Sequence, residues 1–198
     1  MLHKPHKRQS GGHEAEAAPT TREDWKRFRA LDISFGAIGL YQQENTAYFC
    51  TPVGAEFVGW IGCDGVHFIL LPGDERVFCV DPDMGERGTY VLPVAGDFRE
   101  FLSFILYCQD ANPLSQIYWM TETQYKELAA EDAAARQDEN MARFFDQKDA
   151  ALAAIAKEFD LTPADPFKKI KDMQAKFDPA VLDFSEEYYE TLGYHETE

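Results

Sequence analysis

The hydrophobic period changes once along this chain, and that change fixes the class of fold open to it. From Ile33 to Leu92 the sequence breaks into short β-branched and aromatic runs at 35–41, 47–51, 57–61, 66–71 and 76–80, with a sixth at 89–92. Turn chemistry closes them. Asp64-Gly65 is a tight-hairpin signal, because both turn positions need φ > 0. Pro72-Gly73-Asp74-Glu75 marks the next hairpin, and Asp81-Pro82-Asp83 with Gly85 and Gly88 marks a longer loop. Successive hairpins predict an antiparallel or mixed sheet of about five or six strands.

At Asp97 the spacing becomes helical. Asp97 and Glu100 form a capping-box-like start, and Phe98, Phe101, Leu102, Ile105 and Leu106 then make one apolar face, which predicts a helix lying across the sheet. Upstream, Thr20 or Thr21 caps a short helix presenting Trp25, Phe28 and Leu31. Downstream, Thr121–Gln124 is another capping box, and a long amphipathic stretch carries Phe144, Phe145, Leu152, Ile155 and Phe159. A shorter helix with Phe167, Ile170, Met173 and Phe177 follows Pro163 and Pro166, and the end of the chain sets Phe184, Tyr188, Tyr189, Leu192 and Tyr194 among acids. The expected class is therefore α+β: a disordered tail over 1–20, an α+β domain over 21–119, and a helical extension over 120–198 packed on the same domain.

Composition narrows the function. With 45% apolar and 14% aromatic residues the chain can build a core, which excludes wholesale disorder. No apolar run approaches the roughly 18 residues of a membrane span. Nineteen Lys and Arg against 35 Asp and Glu give a net charge of −16; residues 1–30 hold +3, so the remaining 168 residues hold −19. Such a body repels phosphate backbones and attracts basic proteins, so the expected partner is a basic protein and not nucleic acid or a membrane. The four cysteines (Cys50, Cys63, Cys79, Cys108) stand singly in apolar contexts and read as reduced thiols, and residues 1–20 lack the apolar segment expected of a secretory signal. A cytoplasmic location is expected.

Chemistry-bearing motifs are scarce. Outside the tail the histidines are His67 and His195. His67 lies four residues after Cys63 and three after Asp64, so a small hydrolase or transferase using His67 with a nearby thiol or carboxylate is one alternative, although strand pleat works against the pairing. Asp81, Asp83 and Glu86 lack the order of a calcium loop, and Gly36, Gly39, Gly54 and Gly59 form no phosphate-binding loop. No cofactor and no metal are expected. A second alternative is a scaffold that self-associates through Phe144, Phe145 and Phe159.

The runs 66–70, 77–82 and 90–95, closed by Asp97-Phe98-Arg99-Glu100-Phe101-Leu102, resemble the C-terminal half of SUKH domains, with their strand pair, V-x-P-I-A run and F-x-x-F-L helix. Before the sheet, Trp25-Lys26-Arg27-Phe28 stands without the Leu-Pro that such domains carry there. Many bacterial SUKH proteins are immunity proteins. The resemblance implies a partner-binding α+β domain that neutralises a toxin such as a nuclease, here through an acidic surface. The candidate contacts are the loop acids Asp64, Asp74, Glu75, Asp83 and Glu86.

Overall fold

A computed structural model describes residues 20–42, 47–87 and 89–193. Its one sheet has four strands, β1 (Glu56–Trp60), β2 (His67–Leu70), β3 (Val77–Val80) and β4 (Val91–Ala95), all antiparallel in the order β1-β2-β3-β4. The expected five or six strands are one or two more than the described residues form. The segment 35–41 instead closes a 3-10 turn (Phe35–Ile38) that ends on Gly39 at φ 65°, and touches β1 through a single Tyr41–Trp60 bridge. The segment 47–51 is a turn fastened on itself, with the Thr51 amide donating to the Tyr48 carbonyl and the Tyr48 amide to the Thr51 hydroxyl. Both runs have strand-like composition, but local bonds satisfy their backbones first.

The hairpins form as their turn residues dictate. Asp64 (φ 53°) and Gly65 (φ 71°) occupy the two left-handed positions between Cys63 and Val66. Gly73 (φ 73°) follows Pro72 in a turn closed by the Asp74 amide on the Leu71 carbonyl. Pro93 sits in β4, an edge strand, where no inward ladder bond is lost.

Seven α-helices complete the described residues: α1 (Thr21–Arg29), α2 (Phe98–Cys108), α3 (Asn112–Gln116), α4 (Glu122–Ala135), α5 (Ala142–Phe159), α6 (Phe167–Gln174) and α7 (Glu186–Thr191). Thr20 caps α1 in a complete capping box with Glu23. Asp97 caps α2 by accepting from the Glu100 amide, while the Glu100 carboxylate reaches one residue further back, to the Gly96 amide.

Strand alternation divides the core in two. Val58, Phe68, Leu70, Val77, Cys79 and Val94 face α1 and α2, where Phe68 meets Phe101 at 5.0 Å and Phe28 meets Phe98 at 5.5 Å. Ile155 and Phe159 of α5, Ile170 of α6 and Tyr125 of α4 join this same cluster. Ile69, Phe78, Val80 and Val91 point the other way, and Cys50, Phe49 and Ala55 of the 47–55 loop cover them together with a C-terminal strap holding Phe177, Leu182, Phe184 and Tyr188. A backbone bond from the Val53 amide to the Asp183 carbonyl, 2.8 Å, joins loop to strap. Residues 1–19, where the tail is expected, and His195 lie outside the described residues, as does the Glu86 side chain.

Candidate interaction surface

The meander separates the nominated carboxylates. The β1–β2 turn and the β3–β4 connection share one end of the sheet, and the β2–β3 turn lies at the other, about 10 Å away along four-residue strands. Asp64 and Asp83 are therefore at one end, both exposed, and Asp74 and Glu75 at the opposite end. Those last two serve the fold. The Asp74 carboxylate accepts from the Arg76 guanidinium at 2.7 Å and from the Arg76 amide at 2.9 Å. Partial burial pushes its pKa up, but the Arg76 bonds and the charges of Arg76 and Arg22 outweigh this and hold the carboxyl below its usual range. Glu75 accepts from the Thr21 amide (2.7 Å) and, through its carbonyl, from the Thr21 hydroxyl (2.6 Å), placing an anion at the start of α1.

His67 and Cys63 do not form a catalytic pair. His67 is fully buried; its Nδ1–H donates to the Gly65 carbonyl at 2.7 Å, and its Nε2 accepts from the Thr51 hydroxyl at 3.2 Å. Phe57 stacks on the ring at 4.7 Å, with Tyr48 at 5.9 Å. Burial pushes the imidazole below its usual pKa, against a smaller upward effect of the Gly65 bond. Cys63 is exposed in the hairpin turn, and its bond to Asp64 raises the thiol pKa. The histidine fastens the 47–55 loop to β2. Cys50 beneath that loop is pushed up to about 12 by burial, an inert thiol. Among the described residues no group of His, Cys, Asp and Glu is arranged to hold a metal ion, and no helix is long and apolar enough to cross a membrane.

Charge is distributed with a direction. The sequence has no Lys or Arg between Arg29 and Arg76, and none after Lys176. The 47–55 loop is thus uncharged, and the Asp64 turn and the C-terminal strap carry carboxylates alone, with Asp178, Asp183, Glu186, Glu187 and Glu190 exposed on the strap and α7. Arg87 is the basic residue of the β3–β4 connection, and several of the other basic side chains are engaged in pairs. Arg22 pairs with Glu56 at 2.9 Å and also donates to the Asp74 and Leu71 carbonyls; Arg27 pairs with Asp24 and Glu158, and Lys169 with Glu100.

Within the acidic face lies an open groove of about 500 Å³, walled by Tyr90 and Gly85 of the β3–β4 connection and by Leu182, Phe184, Tyr188, Tyr189 and Leu192. Its shape follows from local sequence. A Cβ on Gly85 would lie 2.2 Å from the Tyr90 hydroxyl, so glycine lets that ring come down against the turn. Phe184 stacks on Tyr188 at 4.0 Å, and Tyr90 and Tyr189 meet Tyr188 edge-on at 5.9 and 5.2 Å. The sequence reading takes these aromatics as a packing face; half of each ring does pack, and Tyr189 remains 45% exposed. The sequence signal for the rest was the absence of any cation beyond Lys176.

Two further clefts, of about 530 and 630 Å³, flank Tyr107 and Tyr125 beneath α4. Their acids and bases are largely paired: Arg136 with Asp149, Lys126 with Glu122 and Lys168 with Asp172. No family model, no curated protein and no solved structure matches this chain.

Proposed function

We propose that this chain is a protein-binding module of the SUKH immunity type, which neutralises a basic toxin such as a nuclease by covering its phosphate-binding groove. The observation that carries this reading is the set of exposed carboxylates on the Asp64 and Asp83 turns and on the C-terminal strap with α7, in a chain that has no Lys or Arg between Arg29 and Arg76 and none after Lys176, Arg87 being the basic residue of the β3–β4 connection. A nuclease needs a basic groove to hold phosphates, and a rigid acidic surface competes for it. The meander β2-β3-β4 running directly into α2 supports the resemblance. Asp64 and Asp83 belong to this surface, whereas Asp74 and Glu75 are held by Arg76, Arg22 and Thr21.

Two observations weigh against the alternatives. Both ring nitrogens of His67 are occupied inside the core. Phe145 and Phe159, the centre of the expected self-association patch, are 7% and 1% exposed. The test is to look for a toxin with a basic nuclease domain encoded beside this chain, to co-express the two, and to follow the pair by titration calorimetry; the lack of such a neighbour counts against the reading. Growth rescue is expected, with affinity falling about tenfold or more from low to physiological salt. No rescue, or an affinity indifferent to salt, overturns the reading.

A further inference from the structure

We propose that the cleft beneath α4 lined by Lys171, Tyr107, Tyr125 and Phe167 binds a small aromatic anion, a planar ring carrying phosphate or carboxylate; this goes beyond the masking reading and does not rest on it. The cleft measures about 630 Å³, within the range that holds small ligands and more than a bare phosphate fills. Its apolar lining is made of rings. Tyr125 and Phe167 stack at 5.2 Å with 30° between their planes, and Tyr107 stays 46% exposed. An exposed ring gains from being covered by another, offset or edge-on.

The charges around those rings select the rest of the ligand. Lys126, Lys168 and Lys171 all line the cleft. Lys126 pairs with Glu122 and Lys168 with Asp172, each one turn along its own helix, and the Asp165 carboxylate accepts from the Tyr107 hydroxyl at 3.2 Å and the Phe167 amide at 3.0 Å. Lys171 differs. Among the described residues its ammonium meets no carboxylate at ion-pair distance; it donates to the Tyr118 carbonyl at 2.8 Å and lies 5.7 Å from the Phe167 ring centre. Partial burial pushes its pKa down, a desolvation cost that no carboxylate offsets. An ammonium has three donors and the carbonyl takes one, so an anion in the cleft can use the others and supply the countercharge. Exposed pairs one helical turn apart are weak, so Lys126 and Lys168 can turn to a second negative charge, which favours phosphate over carboxylate.

The test is a 15N NMR titration of the full chain with phenyl phosphate, benzoate, inorganic phosphate and benzyl alcohol, the last a neutral ring. Phenyl phosphate is expected to saturate with amide shifts clustered at Tyr107, Tyr125, Phe167 and Lys171, and to bind about tenfold or more tightly than inorganic phosphate or benzyl alcohol, each of which lacks one half of the contact. Benzoate binding ahead of phenyl phosphate keeps the site and assigns it to carboxylates. Lys171→Gln retains a donor for the Tyr118 carbonyl and removes the charge; it should keep the thermal midpoint and weaken phenyl phosphate by about tenfold or more. Lys169→Gln, at the α6 position that pairs with Glu100, should leave the affinity unchanged. Shifts scattered over the surface lysines, equal losses in the two variants, or inorganic phosphate or benzyl alcohol matching phenyl phosphate overturn the inference, whichever way the co-expression test falls. The ligand comparison in the wild-type chain decides by itself should a variant not fold.

Discussion

His67 shows how a single side chain links stability to pH. Its burial keeps the imidazole neutral and its native pKa below the unfolded value of about 6.5. As pH falls through that value the unfolded chain takes up a proton that the native protein refuses. The stability contributed is thus complete above about pH 6.5 and declines on acidification, by up to about 1.4 kcal/mol per pH unit, until the native pKa is passed. Urea melts at pH 7.5, 6.5 and 5.5 should show this slope in the wild type and a flatter one in His67→Gln. A second residue-scale expectation concerns Lys148, which is 2% exposed and bonded to Asp110 at 3.0 Å, with its ammonium 5.3 Å from the Phe144 ring centre. Asp110→Asn removes the carboxylate that meets the Lys148 ammonium at 3.0 Å and should cost about 3 kcal/mol in denaturant unfolding, whereas Lys148→Met, which keeps the packed stem, should cost less.

Among the elements, the strap is the one whose loss should matter most out of proportion to its regularity. Phe177, Leu182, Phe184 and Tyr188 are each half-buried against Ile69, Phe78, Val80 and Val91. Ending the chain after Lys176 should lower unfolding free energy by about 4 kcal/mol and create binding sites for a hydrophobic dye, both measurable on the purified truncation. This element also marks where sequence legibility stopped. The helices announced themselves through Thr20, Asp97 and Thr121, whose caps form as their spacing predicts, and the hairpins through Asp64-Gly65 and Pro72-Gly73, because those signals are local. The segments 35–41 and 47–51 misled because their aromatic content mimics strands, while their amides are taken by local bonds such as Tyr48 to Thr51, and the hydroxyl of Thr51 then ties the loop to His67 in the sheet. The acidic face was legible as net charge but not as a place. Only the meander shows that Asp64 and Asp83 share an end and that Asp74 and Glu75 are claimed by α1 and Arg76.

For the molecule as a whole, the separation of charge sets how a partner arrives. Arg22, Arg27 and Lys169 on α1 and α6 are engaged in pairs, while the strap and α7 expose carboxylates on a segment without Lys or Arg, so the charge has a direction. Salt should accordingly act on the association rate with a basic partner of the proposed kind more than on the dissociation rate, which stopped-flow mixing at several ionic strengths can separate. The strap carries one more consequence, for synthesis. The strands it covers are complete once Ala95 has been made, yet their second face waits for residues 177–188, roughly 80 positions later. At about 5–20 residues per second, that interval lasts about 4–16 s on the ribosome. During it Ile69, Phe78, Val80 and Val91 have only the 47–55 loop over them, and their remaining apolar surface is open to nascent-chain chaperones until the strap displaces them.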